Sequence, residues 1–480
     1  MGFIHSKKSR NIVSIVIILS GIITILYVRK PHILEFANYY FGAKYFKEVG
    51  YFNLYDDFVG AISNIYGKKY VIDNIHYIRY LGGLGYESSQ DAINRFEKNK
   101  HNWKPYRWKE FLEDTRQLDK LIGENKSRTK IEHWARILID HGYNATPVYT
   151  AYVSPLVNMI PLTSNNIYIL CSFDVILVIL IFILLYKMKG LFYTAMAFLF
   201  FASAVDILQY ITWALFRFDW ILALAIALYF IRCKKFFLSG LFWGISSTLR
   251  IFPFYIALFF FLVWLISKYK SKNERKYMGH FIIGIFGGCI LSIAYSFISL
   301  KIIYNVNPFL IWSEFIHKIT NFSIESKLAN AVGLGKILEL IGIPNANILE
   351  FLLAILIAVS FSYIIIKNKY DTLKIAVMSI FFIPLFFYLS HYYYIILIFP
   401  AALCFRETKY VYIALIIVNI ITDILKLYGL KYLYIINFEC YSYSIILVSF
   451  PIITTIYFWR KNADRQSGKR LLKDIVQRND

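Results

Sequence analysis

The sequence is short of cysteine, and the five it has, Cys171, Cys233, Cys289, Cys404 and Cys440, lie in or beside apolar segments. None shows paired spacing, which excludes a disulfide framework and a zinc site and leaves small buried hydrophobes. There is no Walker-type phosphate loop, no HExxH helix and no nucleophile elbow. No internal repeat is visible, so nothing points to the related halves on which many transporters are built. Apolar–polar alternation in ten-residue stretches is missing as well, which excludes a transmembrane β-barrel. Acidic residues are scarce: 30 Asp and Glu stand against 52 Lys and Arg, a net charge of +22. In a soluble domain that balance would suggest nucleic acid. Here the basic residues fall in short loops between apolar runs, the pattern of loops facing an anionic cytoplasmic leaflet, and no nucleic-acid partner is expected.

Apolar residues are plentiful. Of 480 residues, 58% are hydrophobic and 19% aromatic, and mean hydropathy is +0.53. Runs of about 17–25 apolar residues are long enough to cross a bilayer as helices, and backbone amides in lipid must pair within their own segment. Lys7, Lys8 and Arg10 precede an apolar stretch of about 18 residues that continues into Val28-Arg29-Lys30-Pro31 without a small-x-small cleavage site, so residues 1–28 read as a cytoplasmic N-terminus and uncleaved signal anchor. Residues 29–164 hold no convincing crossing and read as a first periplasmic loop with juxtamembrane helices. Within it, 106–122, after Pro105 and before Gly123, and 129–139 carry helical periodicity.

Apolar segments follow at 166–186, 190–211, 218–232, 236–250, 252–267, 278–304, 348–366, 375–390, 392–405, 410–426 and 432–459. The expected fold is therefore all-α and integral to a membrane, with about twelve transmembrane helices and a large, partly helical first outer loop. Helices 2–7 occupy 165–304, a second outer loop 305–347, helices 8–12 residues 348–459, and a basic cytoplasmic tail 460–480. Both termini are placed in the cytoplasm by the positive-inside pattern.

Polar groups collect toward the outer face. As a helix, 34–50 puts Glu35, Asn38, Tyr39 and Gly42 on one side, and Phe36, Tyr40 and Ala43 on another suited to headgroups or bundle. Such a helix is expected along the membrane surface, ended by Gly50. Glu35 reads equally as a solvated interface residue or as a base strengthened by desolvation. Arg217, with Asp219 beside it in LFRFDW, and Arg250 in STLRIFPF close apolar segments; they suit a phosphate cradle, or snorkel to the interface. Asp140, His141 and Asn144 form a polar turn that would either join a site, with catalytic or metal-binding groups, or merely cap. His391 and Tyr392 head an aromatic cluster of belt type. Asp174, Asp206 and Asp423 lie within apolar runs and suit polar helix contacts, proton relays or a pocket.

Several stretches together resemble the GT-C superfamily of integral-membrane glycosyltransferases, and among them a poorly characterised bacterial branch: NYYFGAKYFKEVGYFNLYD, DHGYNATPVY, FRFDW, LRIFPF, WSEFIHKI with NAVGL, and PLFFYLSHYYY, in that order along the chain. In the polyprenyl-phosphate-sugar enzymes the loop after the first helix reads Asp-Phe-x-x-Tyr-Tyr, then Ala, Gly and Leu-Tyr. Glu35-Phe36-Ala37-Asn38-Tyr39-Tyr40, Ala43, Gly50 and Leu54-Tyr55 match it with Glu for Asp. The resemblance implies Glu35 as general base, with Asp56 and Asp57 as substitutes, and Arg217 and Arg250 as donor-phosphate ligands. It implies a polyprenyl-phosphate sugar donor and a glycan, lipid or protein acceptor, with inversion, at the periplasmic face of a bacterial inner membrane. Asn38, Tyr39, Asp140, His141, Asn144, Asp219, His391 and Tyr392 are the candidate pocket. Some relatives use a divalent metal; no tight acidic triplet is present here, so no metal site is expected. The rival readings are a polyprenyl-linked glycan polymerase or ligase, which shares the topology but carries its large outer loop late, a lipid or solute transporter, and a structural or receptor protein.

Overall fold

The computed structural model describes residues 6–27, 32–123, 129–204, 214–269, 271–325, 331–343, 347–387, 389–427 and 432–479. The described chain is almost wholly helical. Its strands are four two-residue pieces forming two antiparallel ladders, Ile78–Arg79 on Tyr86–Glu87 and Ala331–Val332 on Leu389–Ser390.

Five described helices are long and apolar enough to cross a membrane: Ser164–Lys189, Lys272–Tyr304, Ile348–Lys367, Phe405–Lys426 and Asn437–Arg460. Other apolar runs fold as shorter helices, Leu191–Ser203, Phe236–Leu249, Phe252–Lys268, Thr372–Phe386 and Tyr393–Leu403. At a rise of about 1.5 Å per residue, a 14-residue helix spans only about 21 Å, less than a hydrocarbon core. The expected segments 236–250 and 252–267 are separate helices, divided at Arg250 and Ile251 as read from the sequence but each short, whereas the 375–390 run divides into an α-helix, a 3₁₀ turn and a second short helix. The helix Lys7–Tyr27 packs on Leu191–Ser203. Asp206 lies outside the described residues, and Asp423 sits 3.7 Å from Lys426 on its own helix.

Phe236–Leu249 packs closely on Lys272–Tyr304. Gly240 and Gly244 face Gly284 and Gly288, so the backbones touch: a Cβ at Gly240 would lie 2.0 Å from the Phe281 carbonyl oxygen, and one at Gly288 2.0 Å from that of Leu241. In lipid, where apolar side chains gain nothing by leaving their surroundings, this small-residue contact supplies the packing.

The expected helices at 106–122 and 129–139 are present as Pro105–Gly123 and Lys130–Leu138. The second opens with a capping box in which Thr129 and Glu132 satisfy each other's backbone N–H groups. The expected surface helix is different. It splits at Tyr45 into Ile33–Lys44 and Phe46–Val49, with Gly50 at φ +53° ending the second piece. Residues 36–44 are all buried, so no face is left for lipid headgroups. Helices Pro147–Met159, Pro105–Gly123 and Lys130–Leu138 cover it. Lys44 anchors its end: its Nζ reaches Asp114 at 2.7 Å and Glu110 at 2.9 Å, and the Tyr40 and Tyr45 hydroxyls donate to the same Asp114 oxygen. Removing one partner of a buried pair of this kind costs roughly 3–5 kcal/mol, which makes this network a fixed support for the helix.

Candidate active site

The buried helix Ile33–Lys44 supplies the centre of the site. His32 caps it, its ring Nδ1 accepting the Glu35 N–H at 3.4 Å. Glu35 thus stands in the first turn, where the helix dipole favours a carboxylate. The i, i+3, i+4 spacing then lays Glu35, Asn38 and Tyr39 along one face.

Two arginines from distant segments meet that face. Arg217 Nη1 is 3.4 Å from Glu35 Oε2, and its guanidinium carbon lies 4.2 Å from the centroid of the Tyr39 ring. Arg250 Nη2 donates to the Tyr39 hydroxyl at 2.8 Å, with its guanidinium carbon 5.8 Å from the same ring. Both arginines are buried, Arg217 at 4% and Arg250 at 9% exposure. A cation held over an aromatic face away from water gains from the ring quadrupole. Here one tyrosine carries two cations, and its hydroxyl donates onward to Asn144 Oδ1 at 2.7 Å.

The turn at 140–146 closes the other side. Asn38 Nδ2 donates to Asp140 Oδ2 at 2.9 Å. Gly142, at φ +64°, makes the sharp bend that sets Asp140 and Asn144 on the same helix face. Burial and the nearby Glu35 charge push the Asp140 carboxyl up to about 7, although Arg79 and Lys318 pull the other way. His141 is driven down to about 3 by burial and by the charges of Arg79 and Lys318, so it stays neutral. Asp219 faces Arg250 and Arg217 electrostatically and accepts a hydrogen bond from the Tyr152 hydroxyl.

Glu35, Asn38, Tyr39, Asp140, Asn144, Arg217, Arg250 and Asp219 therefore form one neighbourhood. Asp56 and Asp57 are engaged elsewhere, in contacts that hold the loop together. Asp56 takes two hydrogen bonds from Arg95, which also holds Glu87. Asp57 is buried and accepts the Trp103 indole N–H at 3.0 Å. The side chains of His391 and Tyr392 lie outside the described residues.

Three contributors were not singled out from the sequence. His32 is pushed down to about 4 by burial, against the opposing charge of Glu35. Arg79 donates to the Ile139 carbonyl at 3.1 Å and to the Tyr86 hydroxyl at 2.7 Å, beside the polar turn. Lys318, on the helix Pro308–Glu325, is buried, donates to the Tyr51 carbonyl at 2.7 Å, and is driven down to about 7 by burial and Arg79. Only Lys318 left a signal in the sequence: it continues the apolar stripe of Ile311 and Phe315 at helical spacing, where a charge is out of place.

A separate cavity of about 480 Å³ opens between the first loop and the start of helix Pro308–Glu325, lined by Gly50, Tyr51, Asn53, Tyr106, Asn307 and Glu314 among others. Tyr51 stacks on Tyr143 at 5.9 Å, and Tyr143 meets Tyr39 at 5.9 Å, so an aromatic layer stands between this cavity and the arginines. Among the described residues, no three of His, Cys, Asp and Glu gather as a metal-ligand set. Comparison with protein-family models, curated proteins and solved structures finds no match to this chain.

Proposed function

We propose that this protein is a GT-C-type membrane glycosyltransferase that moves a sugar from a polyprenyl-phosphate donor to a glycan, lipid or protein acceptor. The observation that carries this reading is the meeting of Glu35 with Arg217 and Arg250 around Tyr39. It pairs an acid–base group with two guanidinium groups suited to a phosphate. In this reading the chain crosses a bacterial inner membrane about twelve times, the shorter apolar helices counting as crossings where the bilayer thins or the helices pair. Both termini lie in the cytoplasm and the site faces the periplasm.

The donor phosphate competes with Glu35 for Arg217, and its arrival frees the Glu35 carboxylate to act as a base. The acceptor oxygen attacks the anomeric carbon from the face opposite the phosphate, and the bond from that carbon to the phosphate oxygen breaks. Its electron pair stays on the polyprenyl phosphate, where Arg217 and Arg250 stabilise the developing charge. Glu35 takes the acceptor proton, and the configuration inverts.

The test is mass spectrometry of envelope glycans from cells lacking the gene, complemented with wild type or with Glu35→Gln at matched membrane levels. Loss of a sugar on deletion, restored by wild type and not by Glu35→Gln, is expected. Full restoration by Glu35→Gln overturns the assignment.

A further inference from the structure

Asp174 is wholly buried on the long, mostly apolar helix Ser164–Lys189. A carboxylate in such a place is expensive and commonly has a task. Its two oxygens are spent on one turn: Oδ1 accepts the backbone N–H of Arg217 at 2.6 Å, and Oδ2 that of Ala214 at 3.1 Å. Between them Leu215 and Phe216 sit at φ +77° and +54°, two consecutive left-handed residues with neither a glycine. Side chains with a Cβ resist that region, so the turn persists only because its surroundings over-determine it. The Tyr149 hydroxyl donates to the Leu215 carbonyl at 2.8 Å, and the Phe216 ring stacks at 4.9 Å on Phe173, the neighbour of Asp174. The next residue out of this turn is Arg217.

We infer that Asp174 is a positioning residue: it clamps the strained 214–217 turn so that the Arg217 guanidinium is held over Tyr39 and beside Glu35. A carboxylate suits the task because both oxygens accept, whereas an amide at this position would turn its own N–H groups toward one of the two donors. The affinity arm of the test rests on the phosphate-binding reading of Arg217; the exchange arm does not.

The full-length protein, in lipid nanodiscs, is compared as wild type, Asp174→Ala, Arg217→Ala and the double variant. Amide hydrogen exchange is read over 214–218 and over the flanking helices, and affinity is read with a C55 polyprenyl monophosphate as probe. In Asp174→Ala the 214 and 217 amides should exchange about tenfold faster or more while helices Ser164–Lys189 and Asp219–Arg232 keep their protection. Probe affinity should fall about as far as in Arg217→Ala, roughly tenfold, and no further in the double variant, because the two act through one group. If Asp174→Ala does not fold, Asp174→Asn, nearly the same shape with one acceptor left, should show an intermediate rise in exchange. Unchanged exchange at 214–218, a rise spread equally over both helices, or affinity losses that multiply each overturn the inference. Should Arg217→Ala bind the probe as well as wild type, the phosphate reading fails, and a local rise in exchange still supports the clamp.

Discussion

The Arg217 guanidinium stands 3.4 Å from the Glu35 carboxylate, and both are largely shielded from water. That distance is slightly longer than a tight charge-assisted hydrogen bond. In the proposed reaction a lipid phosphate competes for Arg217, and the pair is a resting state that the donor opens.

Tyr39 joins both cations to the polar turn. Tyr39→Phe keeps the ring under Arg217 and removes the hydroxyl that accepts from Arg250 and donates to Asn144. Hydrogen bonds to charged groups contribute about 1.5–3 kcal/mol, so binding of a polyprenyl monophosphate should weaken roughly tenfold or more. Titration of the purified variant checks this; an affinity equal to wild type would remove Tyr39 from the cradle.

Asp57 should behave as a structural group. Burial pushes its carboxyl well above the usual carboxylate range, and Trp103 is its donor. Asp57→Ala strands that indole N–H and should lower stability by about 1–3 kcal/mol. Glycan product per folded molecule should stay at wild-type level, in contrast to Glu35→Gln. Melting curves with product normalised to folded protein separate the two effects.

The glycine contact predicts a steep local dependence on size. Gly240→Ala and Gly288→Ala each place a methyl against a backbone carbonyl and should cut the yield of folded protein severely. Gly279→Ala, on the same helix as Gly288 with open space around it, should be neutral or stabilising by up to about 1 kcal/mol. Fluorescence-detected size exclusion of the three variants is sufficient to rank them.

Asp140 and Lys318 make stability depend on pH in opposite windows. The Asp140 carboxyl is raised to about 7, so between its unfolded value near 4 and about 7 the folded state binds the extra proton. Its contribution is complete at the acid end and is lost as pH rises to about 7. Lys318 is lowered from 10.5 to about 7, so its contribution grows from pH 7 upward to about 10.5. Melting temperature against pH should therefore fall less steeply between about 4 and 7 in Asp140→Asn, and rise less above 7 in Lys318→Met. Parallel curves for wild type and Asp140→Asn would contradict the coupling.

Part of the site was legible because helical periodicity is a local property. Glu35, Asn38 and Tyr39 share a face at their spacing wherever the helix lies, and Arg217 and Arg250 stand out as cations at the ends of apolar segments. The depth of that helix was not legible. Its residues are apolar or aromatic on nearly every side, a composition that suits a membrane surface and a buried core alike. What decides is the cover provided by Pro105–Gly123, Lys130–Leu138 and Pro147–Met159, with Lys44 drawn inside by Asp114. Asp56 and Asp57 were ambiguous for a related reason: their partners, Arg95 and Trp103, come from later in the loop.

Composition and run length by themselves determined a helical, membrane-embedded chain, because apolar surface and unpaired amides leave few other solutions. Which apolar runs stay whole and which break, and which carboxylates meet the arginines, were decided only by tertiary structure. Those outcomes depend on non-local contacts, such as Asp174 with the 214–217 turn and Tyr39 with Arg250, whose geometry no local pattern encodes.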